Sequence, residues 1–340
     1  MGKITVLARW NVLPQEEALV RSCWPTEAEV NYARPGDADA IPPTALRNLN
    51  VLVGHVSEEL VANAPSLRLI HVLGHGIEQT LRPGVRELLL ARKIPVAKAN
   101  PGGVAIAEFA LMAMLALTRR VFKFHEALAY GGSRNELLRA ERMNGGIGGE
   151  LFQSTLGIVG FGNIGRELAL RTRALGMKIG AVSRYPERID RKQYGVEFTA
   201  PLADIDSFLG RCDYVVLCLP LTSATRDLMN RERFAAMKVG SYFVNMARGG
   251  LVIEEALHDA LRSGKLAGAA LDVSRWEVSD EFGGYPFPFP LHQYNVILTP
   301  HYAGSTLEAR RRALHTVGEN LRRLIGSEPL LNLANLEAGY

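Results

Sequence analysis

The sequence predicts an α/β protein: two domains built on parallel sheets, the second inserted into the first. Short β-rich apolar runs alternate with helical patterns along the chain, a glycine-rich break divides them into two series, and a helix with an apolar tail follows the second series. In the first series the candidate strands are Ile4–Ala8, Val51–Gly54, Leu69–Leu73 and Pro95–Ala99. Helical patterns lie between them, around Glu16–Cys23, Glu58–Ala64 and Val85–Ala91. A long helix, roughly Val104–Tyr130, leads to the break Gly145-Gly-Ile-Gly-Gly149. The second series has strands at Leu156–Gly160, Lys178–Val182, Tyr214–Leu219, Ser241–Asn245, Gly268–Asp272 and Val296–Thr299. The final helix, Thr306–Ile325, ends in Leu330-Leu-Asn-Leu-Ala334, an apolar piece that must pack on something. Giving this tail to the first domain yields 1–103 plus 303–340 around an inserted 104–302.

A chain of 340 residues, 47% apolar and 22% charged, can bury two cores. The net charge of +4 is mild, and the Arg-rich run Glu308–Arg312 reads as a solvated helix face, so no nucleic-acid partner is expected. Three cysteines, Cys23, Cys212 and Cys218, show no metal-type spacing; they read as buried thiols of a reducing compartment, with no metal site. The most apolar helix candidate, Val104–Leu117, is too short for a bilayer and contains Glu108. The N-terminus MGKITVLARW lacks a signal-type apolar core. A cytoplasmic protein with no membrane partner is the expectation.

Gly160-x-Gly162-x-x-Gly165 follows an apolar strand and opens a helical run, Arg166–Leu175. In that setting the first glycine permits a tight turn, the second lets the backbone approach a pyrophosphate, and the third lets helix pack on strand. The next strand runs into AVSRYPER, residues 181–188. An acid at that strand end would bind the ribose 2′-hydroxyl of NAD, but Ser183 stands there instead. Ser183 can donate to a 2′-phosphate, and Arg184 or Arg188 can add a charge-assisted bond. NADP(H) is therefore the preferred cofactor, with NAD(H) the alternative if Arg184 only stacks on adenine.

Ligands bind outside the carboxyl ends of such strands. Three of these ends carry Arg248, Glu277 and His301: a cation, an acid and a titratable imidazole. Together they suit polarising a carbonyl and moving a proton beside a nicotinamide.

GIVGFGNIG at 157–165, CDYVVLCLPLTSAT at 212–225, NMARGGLV at 245–252, GAALDV at 268–273 and ILTPHYAGST at 297–306 carry a specific likeness. With these motifs in this order, the chain resembles the D-2-hydroxyacid dehydrogenase family over nearly its whole length. The resemblance implies two Rossmann-like or flavodoxin-like domains, the NAD(P)-binding one inserted into the substrate domain. It implies a catalytic set of Arg248, Glu277 and His301. Arg248 would bind the substrate carboxylate and carbonyl, His301 would exchange the proton, and Glu277 would stabilise the protonated imidazole. Gly74, His75, Gly76 and Asn100 would meet the substrate. Val104, Gly160, Gly162, Asn163, Ile164, Gly165, Ser183, Arg184, Pro220, Thr225, Met246, Ala247, Asp272, His301 and Gly304 would meet the cofactor. His75 departs from the small or apolar residue usual there. The segment after Glu277, VSDEFGGYPFPFPLHQYN, is longer than usual; it forms either a surface excursion or a loop that shapes the pocket.

By resemblance, the function is hydride transfer between NADP(H) and a small anionic 2-oxo or 2-hydroxy acid, such as glyoxylate or hydroxypyruvate, in a homodimer. Phe109, Leu111, Met112 and Leu115 on the long helix would serve the dimer interface or an interdomain core. A phosphite-type dehydrogenase and a nucleotide-sensing, corepressor-like binding protein are the competing readings.

Overall fold

Apolar runs too continuous to leave one face in water become the inner strands of two parallel sheets, covered on both sides. The structure, a computed structural model, describes residues 3–34, 41, 43–78, 80–143, 148–276 and 287–337. The chain divides into two units, Met1–Gly102 with Ser305–Tyr340, and Gly103–Gly304.

In the first unit, β1 (Ile4–Arg9), β2 (Ala28–Ala33), β3 (Leu49–Gly54), β4 (Leu69–Val72) and β5 (Val96–Lys98) form a sheet in the order β2-β1-β3-β4-β5. All its pairings are parallel. Alternation of side chains sends Leu7, Leu52, Ile70 and Val96 to one core and Val6, Val51, Val53 and Leu69 to another. The helix Leu307–Gly326 covers the second core with Leu314, Val317 and Leu321. Its start is capped by Thr306, whose Oγ1 accepts from Ala309 N at 3.1 Å. The apolar tail beyond it lies along β5: Ala334 N donates to the Val96 carbonyl and Lys98 N to the Asn332 carbonyl. Two arginines of the Arg-rich run are internally engaged, and Arg311 is exposed. Arg310 pairs with buried Glu16, and Arg312 Nε donates to the Pro101 carbonyl at 2.9 Å.

In the second unit, seven strands follow: β6 (Thr155–Val159), β7 (Lys178–Val182), β8 (Val196–Ala200), β9 (Tyr214–Leu217), β10 (Ser241–Asn245), β11 (Leu266–Leu271) and β12 (Val296–Leu298). Their order is β12-β11-β10-β9-β6-β7-β8, again all parallel. The direction of strand addition reverses between β6 and β9, which opens a ligand crevice at their carboxyl ends. Val215, Leu217 and Phe243 fill one face, while Ile158, Val216 and Val244 fill the other. Each such buried side chain contributes about 1.5–3 kcal/mol of hydrophobic stabilisation.

The two-sheet α/β architecture is as expected, but several elements differ. The long helix 104–130 is two helices, Gly103–Arg119 and Val121–Ala129, because Arg120 adopts a left-handed backbone with φ of 51°. Buried Thr118 anchors the end of the first helix; its hydroxyl meets the Met114 carbonyl and the Tyr214 hydroxyl, both at 2.7 Å. Strands β2 and β8 are further additions, both at sheet edges. The helix expected at Arg166–Leu175 begins at Asn163, and β11 stops one residue before Asp272. Part of the glycine-rich break at 145–149 lies outside the described residues. Cys23 and Cys212 are buried, and burial pushes the thiols of Cys212 and Cys218 up to about 12. Among the described residues, no helix is long and apolar enough to cross a membrane.

Candidate active site

At the crevice between β6 and β9, two glycines of the first loop, Gly160 and Gly165, answer steric demands. Gly160 has φ of 103°, and a Cβ there would lie 2.7 Å from the Cys218 carbonyl carbon at the end of β9. A Cβ on Gly165 would stand 2.4 Å from the Gly160 carbonyl oxygen, so only glycine lets the helix Asn163–Ala174 sit against the loop. Gly162 is different: nothing lies within 4 Å of its absent Cβ, and it is exposed. The open position stands at the helix N-terminus, where first-turn N–H groups lack intrahelical acceptors. These residues fit a pyrophosphate. Asn163 directs its amide against Gly103, 2.6 Å from where a Cβ would stand, and Ile164 is half-buried.

One strand over, β7 ends at Val182 and the chain emerges. Ser183 N donates to the Ala200 carbonyl at 3.1 Å, while Ser183 Oγ accepts from Tyr185 N at 3.2 Å. Its hydroxyl proton thus remains available to donate outward. Arg184 is exposed beside it. Arg188, the other arginine of the stretch, sits 4.3 Å over the Tyr185 ring and 3.8 Å from Glu187. Arg184 directly follows Ser183, whereas Arg188 lies five residues on.

Beyond β9, the turn after Leu219 is held by Thr225, whose Oγ1 donates to the Pro220 carbonyl and accepts from Thr222 N, both at 2.8 Å. Thr225 therefore shapes this rim through its own loop, and Pro220 is exposed at its start.

The neighbouring ends of β10, β11 and β12 carry Arg248, Asp272 and His301. Buried Asn245 closes β10; its Oδ1 accepts from Ala247 N at 3.1 Å and its Nδ2 donates to the Arg248 carbonyl at 2.9 Å. Met246 and Ala247 are buried, so the tight turn delivers Arg248 to the rim as a half-buried side chain. Gly249 lies against the Ser274 backbone, where any Cβ would collide. His301 is exposed on a turn of its own, with a left-handed φ of 56°. Asp272 is buried beneath that turn. Its carbonyl accepts from His301 N at 2.7 Å, and its carboxylate accepts from Thr299 Oγ1, Tyr302 N and Ala303 N at 2.7, 2.7 and 2.9 Å. Asn245 and Thr299 were absent from the sequence-derived site. The signal they offer is a polar residue closing an apolar strand, as in Val244-Asn245 and Leu298-Thr299.

Glu277 lies outside the described residues, as do the residues that follow it up to 286. The end of the unusual segment is described. Phe287 and Leu291 are buried in the core with Phe243, and Phe289 stacks on His258 with ring centroids 5.2 Å apart. Arg275 turns into the fold: its backbone N donates to Glu254 Oε1 at 2.8 Å, and its guanidinium bonds the Val252 carbonyl and Asp227. Val104 and Gly304 are both half-buried; Gly304 lies near Ile106.

In the first unit, the loop Gly74-His75-Gly76 leaves β4, and Asn100 follows β5. Asn100 adopts φ of 48° and donates its backbone N–H to the Gly74 carbonyl at 3.3 Å. The two predicted substrate elements are thus adjacent on one sheet edge. Gly74 is exposed, with open space where a Cβ would stand.

Residues 111–303 match the family described as D-isomer specific 2-hydroxyacid dehydrogenase, NAD binding domain. A hydroxypyruvate reductase of Thermotoga maritima is 34% identical, covering 80% of this chain and 82% of its own. A D-3-phosphoglycerate dehydrogenase of Methanocaldococcus jannaschii is 32% identical over 83% of this chain; this chain spans about half the length of that relative, 50%. Among solved structures, a D-isomer specific 2-hydroxyacid dehydrogenase from Xanthobacter autotrophicus, in complex with NADPH and MES, superposes with a TM-score of 0.80. It is 28% identical and both chains are fully covered. This protein belongs to the D-isomer specific 2-hydroxyacid dehydrogenase family.

Proposed function

We propose that this protein is an NADP(H)-dependent reductase of small 2-oxo acids, with glyoxylate and hydroxypyruvate as its leading substrates. The carrying observation is the rim of the seven-stranded sheet. Arg248 and His301 stand on braced turns either side of β11, and Ser183 with exposed Arg184 takes the place of an acid at the end of β7. An acid there would repel a 2′-phosphate; the Ser183 hydroxyl and Arg184 guanidinium bind it. The NADPH complex of the Xanthobacter relative supports this cofactor.

The reduced nicotinamide, when bound, supplies the hydride. Arg248 grips the substrate carboxylate with its planar fork of donors and polarises the carbonyl. His301 gives a proton to the carbonyl oxygen and takes it back in oxidation. Glu277 orients the imidazole and stabilises its charged form. Backbone N–H groups of Gly74, His75 and Gly76, with Asn100 beside them, bind the carboxylate. Gly160, Gly162 and Gly165 admit the pyrophosphate to the helix N-terminus. The same reading makes the protein a homodimer. The helix Val121–Ala129 buries none of its residues, and Met112, Leu115, Val121 and Phe122 are exposed apolar side chains that a second copy would cover.

Initial rates with NADPH and NADH, on glyoxylate and hydroxypyruvate, test the proposal in wild type and Arg184→Ala. The expected result is NADPH preference that falls at least about tenfold in the variant, the worth of one charge-assisted hydrogen bond. Turnover with NADH alone overturns the cofactor assignment. No turnover of any 2-oxo acid with either cofactor overturns the activity.

A further inference from the structure

A continuous relay of hydrogen bonds joins the backbones of the two rim residues Arg248 and His301, and none of its links is a reacting group. Asn245 Nδ2 donates to the Arg248 carbonyl at 2.9 Å. The Asn245 carbonyl accepts from Asp272 N at 3.1 Å, and the Asp272 carbonyl accepts from His301 N at 2.7 Å. Asn245 is 1% exposed and Asp272 2% exposed, so water does not compete for these bonds. The Asp272 carboxylate is also spent inward, with two bonds on Oδ1 and one on Oδ2.

We infer that Asn245, Asp272 and Thr299 are positioning residues, which fix the backbone of Arg248 and His301 relative to each other across β10, β11 and β12. The need for such a device follows from local strain. His301 occupies the left-handed region, which is unfavourable for a non-glycine residue and is kept only where the surroundings over-determine it. Four hydrogen bonds to one buried aspartate supply that determination. Thr299 is the outermost member: its hydroxyl occupies Asp272 Oδ1 alongside Tyr302 N, so the carboxylate cannot rotate away from the turn. On this assignment Asp272 acts on the reaction through His301, rather than chiefly through the cofactor. The inference rests on the proposed reductase activity for its kinetic readout, but its structural readout is independent of it.

The experiment compares wild type with Thr299→Val, Thr299→Ser and Asp272→Asn, in steady-state kinetics, NADPH binding and amide exchange of residues 301–303. Thr299→Val should lower kcat about tenfold, as a small misplacement of a reacting group does, with Kd for NADPH within about twofold of wild type. Exchange at Tyr302 and Ala303 should speed about tenfold, and Thr299→Ser should restore both. Asp272→Asn opposes an amide N–H₂ to Ala303 N–H and should show the larger loss of kcat. If Asp272→Asn raises Kd for NADPH while kcat and exchange at 301–303 hold, Asp272 serves the cofactor and the inference is overturned. Equal behaviour of Thr299→Val and Thr299→Ser overturns it as well. Should wild type turn over no 2-oxo acid, the functional reading has failed, and the exchange data still decide whether this network holds the turn.

Discussion

Each unit buries a polar network, and the two end in different places. In the seven-stranded unit, Asn245 and Asp272 reach from the sheet to the backbone of Arg248 and His301, at the rim. In the five-stranded unit, His71 on β4 is fully buried and accepts at Nε2 from Asn320 Nδ2, 3.0 Å away on the C-terminal helix. Asn320 in turn exchanges bonds with the Leu331 backbone, accepting from its N at 2.7 Å and donating to its carbonyl at 3.2 Å. That network ends on the chain's own tail, which lies beside β5. Both networks are dry and satisfied, so burial alone does not reveal purpose; the group at the end of the hydrogen bonds does. Damage to the first should cost turnover, and damage to the second should cost stability.

The largest expected effect falls at the rim. His301→Gln retains a polar side chain of similar reach but cannot exchange a proton at neutral pH. Its kcat for glyoxylate should fall by about 10²–10⁴-fold, the range for loss of a positioned general acid. The thermal midpoint should move little, because His301 is exposed and its N–H bond to the Asp272 carbonyl survives the change. A variant that lost stability in step with activity would erase the distinction between the two networks.

The second network should be read by pH. Desolvation lowers the His71 pKa from its ordinary 6.5 to about 4, against a smaller opposing contribution from the Val72 carbonyl. With Nε2 accepting from Asn320, the ring proton sits on Nδ1 and donates to that carbonyl at 3.3 Å. Protonating Nε2 would set two donors face to face. The Asn320 amide cannot turn over to help, because its oxygen holds Leu331 N. The native state therefore stays neutral while the unfolded chain takes up a proton. This contribution is fully present above about pH 6.5, declines as pH falls, and levels off below about 4. Over that window it amounts to about 3 kcal/mol. Urea unfolding across the pH range should show this slope in wild type and its loss in His71→Leu; an unchanged slope would remove His71 as its source.

How much of this was legible in the sequence depends on burial pattern. Inner strands such as Lys178–Val182 and Ser241–Asn245 were readable to the residue, because both faces are covered and their apolar runs are unbroken. The edge strands β2 and β8 were not: AEVNYA mixes half-buried and exposed residues, VEFTA is mostly half-buried, and both carry the polar residues that edges permit. The break at Arg120 was hidden because no glycine or proline marks it; the backbone turns left-handed two residues after Thr118 bonds Tyr214. At the site, the ordered motifs pointed to Arg248 and His301, side chains that must reach the rim. Asn245 and Thr299 went unseen because their bonds run inward, and the polar residue that closes an apolar strand is a weaker mark than an ordered motif. The reach of Arg275 to Asp227 and Glu254 was likewise set by tertiary contact.

The end of β7 offers a third case, a rim segment with little bracing, and it should give the smallest effect. Ser183 is fixed by its backbone bond to Ala200, and its Oγ accepts from Tyr185 N two residues on. An aspartate can make the same local turn, since its carboxylate accepts from the backbone two residues ahead. Ser183→Asp should therefore leave stability within about 0.5 kcal/mol of wild type, as surface substitutions usually do. What changes is charge: the new carboxylate repels a 2′-phosphate and can accept from a 2′-hydroxyl. The ratio of kcat/KM for NADPH over NADH should fall about tenfold or more, while kcat with saturating cofactor holds, because Arg248 and His301 stand on other strands. Steady-state rates with both cofactors, beside a thermal melt, check this. A kcat loss at saturating cofactor would mean that the β7 end is coupled to the braced rim, and that the seven-stranded edge works as one piece rather than as a rigid reacting half and an exchangeable cofactor-reading half.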